Sequence, residues 1–442
     1  MSSPERFVFN IAVSAAVGGF LFGFDTAVIS GALPYLTQEF GLDSGAVGWA
    51  VGAVLIGCSL GALLAGIAAE LWGRKPVLLV CAALFAVSGI GVAIAGNLFV
   101  FVIFRMVGGL GVGAAAMVAP MYIAETAPAE SRGKLVSLYQ LAIVTGILCS
   151  YLTNYGIEKL TPGNWRVMFG LQLLPSVLWL IILNAVPESP RWLVMHGRTD
   201  MAYQVLSRIH DSPGAVAAIS SIKRSLLQIH QQAGNKLNRV FVRLCLLGCL
   251  MAIFQQVTGI NAILYYAPLI FKETGIDGNT SLMQTVGIGV VNVAATFIAI
   301  RLVDRYGRKQ FLVCGSLLMG ACLAVTAVCF HYHYFRGYLV LICTLVYVAG
   351  FGCTLGAVTW VCLSELFPNQ IRSIAISIST LALWLADFLV SYTFPVLQEK
   401  LGIEGTLFCY AGCCALALLF YATCIPETKG KSLEAIESMF LK

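Results

Sequence analysis

Apolar residues along this chain fall in long blocks, without the alternation of a half-buried strand or the mixed spacing of a water-facing helix. Val77 to Gly96 and Val167 to Val186 each run twenty residues without a charge. A helix rising 1.5 Å per residue needs about 20 such residues to cross the roughly 30 Å of hydrocarbon in a bilayer. Blocks of that size lie near 8–36, 46–70, 76–96, 98–122, 134–156, 165–186, 241–271, 281–302, 311–331, 338–364, 373–395 and 404–425. They predict an all-α polytopic membrane protein with twelve transmembrane helices, six on each side of one polar insert. The expected organisation is a six-helix bundle over 1–187, a helical linker over 188–240, a second bundle over 241–426 and a tail over 427–442.

Composition excludes a soluble fold. Of the 442 residues, 59% are apolar and 11% charged, against about 25% charged in soluble domains; mean hydropathy is +0.87. The net charge of +6 matters through its placement. With the N-terminus on the cytoplasmic side, twenty-one of the 27 basic residues fall inside, Lys159, Arg166, Lys272, Arg336 and Lys400 fall outside, and Arg105 alone lies within a span. The positive-inside rule then predicts a multi-pass protein of the plasma membrane with both termini cytoplasmic. The basic residues are one-sided, which excludes a nucleic-acid partner. The first span carries no basic cluster and contains Asp25, so it is expected to remain in the mature protein. The 15 cysteines all sit in apolar stretches and read as small apolar helix residues, so neither a disulfide nor a metal site is expected, and no cofactor. No HExxH and no nucleophile beside a His is present, and the five His lie outside the predicted spans' core; an enzyme is not expected.

Three short motifs recur in the same order in the two halves. Glu70 to Lys75 (ELWGRK) matches Asp304 to Lys309 (DRYGRK), at an offset of 234 residues. Glu125 to Pro128 with Arg132 matches Glu365 to Pro368 with Arg372 at an offset of 240, and Pro187-Glu-Ser matches Pro426-Glu-Thr at 239. Such repetition predicts two homologous, pseudo-symmetric bundles. It also gathers Glu70, Glu125, Asp304 and Glu365 with Arg74, Arg132, Arg308 and Arg372 at one end of the helices. Ion pairs among them are expected to latch the two halves together on that side and to break when it opens.

Asp25 and Arg105 each cost several kcal/mol at membrane depth unless they meet a partner or a wet cavity, and they are candidates to serve each other. A carboxylate whose proton affinity depends on its hydration and on its pairing with Arg couples protonation to conformation. A static ion pair that only orients helices is the alternative. Gln172 is a candidate third member. Elsewhere Gln140, Gln255, Gln256, Asn261 and Asn292 place amides, and Trp360 and Trp384 place aromatics, within apolar spans. Amides both donate and accept, and aromatics offer a flat apolar face, which together can line a polar binding site; single buried amides and tryptophans also serve as helix glue and packing. At about 100° per residue, Gln255 and Asn261 lie far apart around a regular helix, which predicts a break at the intervening Gly259.

The motifs Gly23 to Gly31 (GFDTAVISG), Arg105 to Gly113 (RMVGGLGVG), Pro187 to Arg191 (PESPR), Gln255 to Asn261 (QQVTGIN) with Tyr265-Tyr266, and Pro426 to Gly430 (PETKG) resemble those of the sugar porter branch of the major facilitator superfamily, over essentially the whole chain. The resemblance implies the major facilitator fold and a monosaccharide substrate. It places Gln140, Gln255, Gln256, Asn261, Asn292, Trp360 and Trp384 at sugar-contacting positions, Tyr265 and Tyr266 at an outer gate, and Phe351 near the ring. Asp25 and Arg105 match positions found in proton-coupled members. The chain departs from the family at Ala357, where Pro is common, at Leu383, where Gln or Asn is common, and at Asp387, where Asn is usual. Asp387 is read foremost as pointing to water near the outer mouth, then as a second titrating site, then as a ligand for a sugar hydroxyl. Together these readings predict a monomeric secondary active transporter that imports a hexose or pentose with a proton by alternating access. A uniporter and a non-transporting sugar sensor stay open as alternatives, and hexose, pentose and cyclitol are not separated.

Overall fold

The structure is a computed structural model and describes residues 3–128, 130–232, 239–302, 307–335, 338–367 and 372–427. These are almost entirely helical, with no strand among the described residues. The first span is broken at Val28 into α1 (Ser3–Ala27) and α2 (Ile29–Phe40), and is followed by α3 (Ser44–Trp72), α4 (Arg74–Ala93), α5 (Leu98–Thr126) and α6 (Arg132–Leu160). The sixth span is broken at Leu171–Gln172 into α7 (Trp165–Gly170) and α8 (Leu173–Asn184). In the insert, α9 (Pro190–Met195), α10 (Thr199–Leu206) and α11 (Ser212–Gln232) pack through Trp192, Leu193, Val205, Leu206 and Ile219.

The second half repeats the plan. A span broken at Thr258–Gly259 gives α12 (Arg239–Val257) and α13 (Ile260–Lys272), and α14 (Gly278–Leu302) and α15 (Arg308–His331) follow. Next comes a span broken at Thr354 into α16 (Leu339–Cys353) and α17 (Leu355–Leu366). The final apolar stretch of 51 residues, Ile374–Cys424 within α18 (Arg372–Cys424), would be about 76 Å long if straight, far beyond one hydrocarbon thickness. It turns at Gly402, φ +71°, and so supplies the eleventh and twelfth spans. Helix ends follow local chemistry: Asp43 and Asn97 cap α3 and α5 by accepting from Ala46 and Val100 N–H, at 2.7 and 2.9 Å.

Within the first half the dominant contacts are α3 on α5 and α1 on α6. No hydrophobic driving force holds helices together in lipid, so close backbone approach through small residues does that work. Gly57 and Gly109 face each other across α3 and α5, and a Cβ at Gly109 would overlap the Val54 carbonyl. Gly23 and Gly146 do the same between α1 and α6. The second half is knit by α15 and α12 against α18. Large exposed apolar side chains, among them Leu64, Ile67, Ile181 and Leu419, cover the outside of the helices. They require a hydrocarbon solvent.

Two main seams join the halves, α3 against α18 and α6 against α14, with a smaller contact of α2 on α13. Across the first, Gly48 lies against the Tyr392 backbone, Gly52 against the Phe388 ring, and Ser44 donates to Glu399. Across the second, Gly289 lies against Leu148 and Tyr151. Tyr151 Oη also donates to the Leu264 carbonyl on α13, at 2.8 Å. Both of these hydrogen bonds lie towards the end opposite the insert, called the far end below. Gly109→Val should lower thermal stability by about 1–3 kcal/mol through overpacking, read as a depressed unfolding midpoint in detergent; an unchanged midpoint would show that α3 and α5 can part without penalty.

Candidate functional site

Asp25 on α1 and Arg105 on α5 meet in the middle of the first half, with side chains 1% and 0% exposed. Arg105 Nη1 lies 3.0 Å from Asp25 Oδ2 but donates to the Asp25 backbone carbonyl, at 2.9 Å. Neither carboxyl oxygen has an aligned donor among the described residues, and Arg105 Nε and Nη2 have no hydrogen-bond partner. The Phe169 ring, 5.3 Å from the guanidinium carbon, closes one side. Gly108, beside the carboxyl, leaves room for Ser88, and Gln172 sits at the break in the sixth span, donating to the Phe85 carbonyl at 3.3 Å. This pair is deeply buried yet under-bonded. A charge pair satisfied on every side resists change; one with open valences on both partners is suited to exchanging a proton or a partner.

The helix break expected at Gly259 is present, with Gly259 at φ +93°. A break in lipid exposes carbonyls that water cannot reach, and the two broken spans of the second half satisfy each other. Tyr347 Oη on α16 donates to the Thr258 carbonyl at 2.9 Å, and Gln255 Nε2 on α12 donates to the Leu355 carbonyl at 3.0 Å. The break at Thr354 forms although Ala357 replaces the usual proline.

Around these breaks lie most of the residues singled out for sugar binding. Asn261 Nδ2 donates to Gln256 Oε1 at 2.8 Å. Trp384 is buried on α18 with its Nε1 unpartnered, and its ring packs on Phe22 of the first half, centroids 5.6 Å apart. Asn292 on α14 faces Gly352, and Phe351 packs on Gly356. Tyr265 is buried; Tyr266 Oη donates to the Ser391 carbonyl at 2.8 Å and its ring stacks on Phe394. Gln140 is half-buried on α6 without a hydrogen bond among the described residues, and Trp360 is 39% exposed. In this conformation Gln255 is engaged with backbone, while Gln256 and Asn261 engage each other. Asp387 departs from the expectation that it faces water: it is 1% exposed, and its Oδ1 accepts from Ser391 Oγ at 3.2 Å.

At the insert end the repeated motifs assemble twice. Arg74 Nη2 pairs with Glu125 Oε1 at 2.7 Å, and Arg308 Nη2 with Glu365 Oε1 at 3.1 Å. Each pair joins helices of one half. Among the described residues, the ion pairs seen here join each arginine to the acid of its own bundle, and none of those seen bridges the halves. Glu70 and Arg132 are exposed and form no ion pair among the described residues. Asp304 and the Arg372 side chain lie outside the described part, as do residues 428–442 of the tail.

The sequence reading saw Pro187-Glu-Ser and Pro426-Glu-Thr as repeats but assigned them no work. Glu188 Oε1 accepts from the Arg74 N–H at 2.9 Å, and its carboxylate also takes the Lys75 N–H. Glu427 does the same for Arg308 and Lys309, at 2.9 and 3.2 Å. Both carboxylates sit at helix N-termini, where unpaired N–H groups and the helix dipole favour an anion. Burial pushes the Glu188 carboxyl up while these hydrogen bonds oppose it. The recurrence at nearly one offset was the signal that could have found them.

Such an arrangement, two helical bundles around broken spans and sealed at one end, defines a membrane carrier. The chain matches the Sugar (and other) transporter family over residues 11–440 and belongs to it. It is 39% identical to the D-xylose-proton symporter of Escherichia coli K12, covering 99% of this chain and 96% of that one. It is 36% identical to the arabinose-proton symporter of Bacillus subtilis, covering 100% and 97%. An inward-open structure of the xylose transporter XylE from E. coli superposes with a TM-score of 0.88 at 38% identity, covering 98% of this chain and all of that one. The fold is thus the twelve-helix major facilitator fold, and the chain is no enzyme but a transporter.

The far-end seam makes a direct prediction. A side chain at Gly48 would strike the Tyr392 backbone, at a cost of about 1–3 kcal/mol, or roughly five- to 150-fold in the ratio of closed to open. Gly48→Val should raise hydrogen exchange at 388–395 accordingly, and unchanged exchange would mean that the seam is not what shuts this end.

Proposed function

We propose that the protein imports a monosaccharide, a hexose or pentose, together with a proton, by alternating access across the cell membrane. The observation that carries the coupling is the buried, under-bonded Asp25–Arg105 pair. Asp25 carries the proton and Arg105 tunes it by competing for the carboxylate; the resemblance to two proton symporters supports this reading. Gln140, Gln256, Asn261, Asn292, Tyr265, Phe351, Trp360 and Trp384 bind the sugar, and Gln255 joins them when it leaves the Leu355 carbonyl. Sugar hydroxyls replace amide–amide and amide–backbone bonds one for one, so binding and repacking of the broken spans are energetically linked.

In this reading the insert and termini are cytoplasmic, the first bundle covers 1–187 and the second 241–426, and the far end is the outside. The conformation described, shut at the far end and similar to an inward-open relative, is the inward-facing one. The paired acids and arginines of the insert end stiffen each bundle so that it moves as one body. When that end closes, they are brought near their counterparts in the other half, with Glu70, Arg132, Asp304 and Arg372 as further members. The chain acts as a monomer in the bilayer, because both halves of the site lie on one polypeptide.

Uptake of labelled xylose, arabinose and glucose into proteoliposomes tests this. An inward proton gradient should concentrate the substrate sugar above equilibrium in the wild type, and Asp25→Asn should lose accumulation while retaining exchange. Equal, merely equilibrating uptake in both proteins would make Asp25 a structural charge and the protein a uniporter; no exchange of any sugar would leave only a sensor.

A further inference from the structure

Asp387 is a buried carboxyl on α18 for which the carrier reading has no use. It lies three residues beyond Trp384 and directly before Phe388, the ring that packs on Gly52 in the far-end seam. Its neighbours are neutral: Ser391 Oγ donates to Oδ1 at 3.2 Å, and Asn261 of α13, whose Nδ2 donates to Gln256, lies near it. The titratable groups within its electrostatic reach are the Cys58 thiol on α3 and the Tyr265 hydroxyl on α13. Both also lie in the field of Arg105, and Cys58 in that of Asp25. Among the described residues, α12 and α15, also packed on α18, bring no charged group to it. No Lys, Arg or His forms an ion pair with Asp387 among the described residues, in contrast to Asp25.

We propose that Asp387 is a second proton-binding site, whose protonation permits the far-end seam between α3 and α18 to close. While that end is open, water hydrates the carboxylate, and a proton from solution adds to one of its oxygens. The neutral carboxyl keeps its hydrogen bond to Ser391 and enters the dry seam without carrying a charge there. An ionised Asp387 would have to be buried without a counter-ion, so it holds the seam open. When the seam parts again, water returns and the proton can leave. The inference rests on the carrier reading for its purpose, since a site of this kind alternates between hydrated and dry states only if the halves rock. It places the site in the half opposite Asp25, where the amide cluster also lies.

The test is the pH dependence of seam closure, read by hydrogen exchange at 44–58 and 384–395 in lipid nanodiscs and corrected for the intrinsic chemical rate. Comparing Asp25→Asn with Asp25→Asn/Asp387→Asn removes the contribution of the first carboxyl from both arms. One linked proton changes the closed-to-open ratio by up to about tenfold per pH unit between its two limiting values. Closure in Asp25→Asn should therefore strengthen as pH falls, and the dependence should vanish in the double variant, which stays closed. Asp25→Asn/Asp387→Glu, which restores a titratable carboxyl, should recover the dependence with a shifted midpoint. Protection of 98–126 verifies that each variant is folded. An equal pH dependence in the first two variants would overturn the proposal, as would a double variant that stays open at low pH. Sugar-dependent proton uptake by the wild type reports separately on the carrier reading, so either conclusion can fail alone.

Discussion

Inside a bilayer a polar group has no water to turn to, and this constraint organises the molecule. At three of the four broken spans a side chain from another helix repairs the loss. Asn154 Nδ2 donates to the Val28 carbonyl at the break in the first span, Tyr347 to Thr258 and Gln255 to Leu355. The last two are reciprocal: each broken span supplies the side chain that stabilises the other's break. Loosening one therefore loosens both, which makes the pair a two-state element that a ligand can bias. The same shortage of water makes Asp25, Arg105 and Asp387 the residues most sensitive to opening, because hydration changes what each costs.

Rigidity is supplied elsewhere, twice over. At the insert end, a carboxylate from the close of each half, Glu188 or Glu427, holds the start of α4 or α15, and the arginine of that start holds Glu125 or Glu365. These connections tie the third span to the fourth and to the segment after the sixth, and the equivalent ones tie the second half. Close glycine contacts do the same along the helix lengths. The seams between halves are built differently. They rely on rings lying over glycines, as Phe388 does over Gly52, with few hydrogen bonds between the halves. Two stiff bodies with a separable seam are what rocking motion requires.

Much of this was legible in the sequence because membrane depth simplifies the code. Length and apolarity alone located the spans, and the angular disagreement between Gln255 and Asn261 located the break at Gly259. The internal repeat foretold two like halves. What failed to read out were partnerships. Arg74 and Glu125 are near in the repeat and near at one helix end, but sequence does not say whether an acid pairs within its own bundle or across to the other. Gln255 looked like a sugar ligand by its type, whereas here its amide serves a backbone carbonyl, a role that only the facing break reveals. Asp387 looked like a water-facing acid because an uncompensated charge at depth is costly; its burial among neutral donors is a tertiary outcome that no local pattern encodes.

The central claim is that sugar and proton cross together, and the most direct measurement is the pH of a lightly buffered medium around proteoliposomes when sugar is added with no gradient imposed. The account predicts that the transported sugar, entering down its own gradient, takes protons with it and makes the medium more alkaline, and that collapsing the response with a protonophore leaves sugar entry intact. Sugar entry with no change in the medium would contradict it.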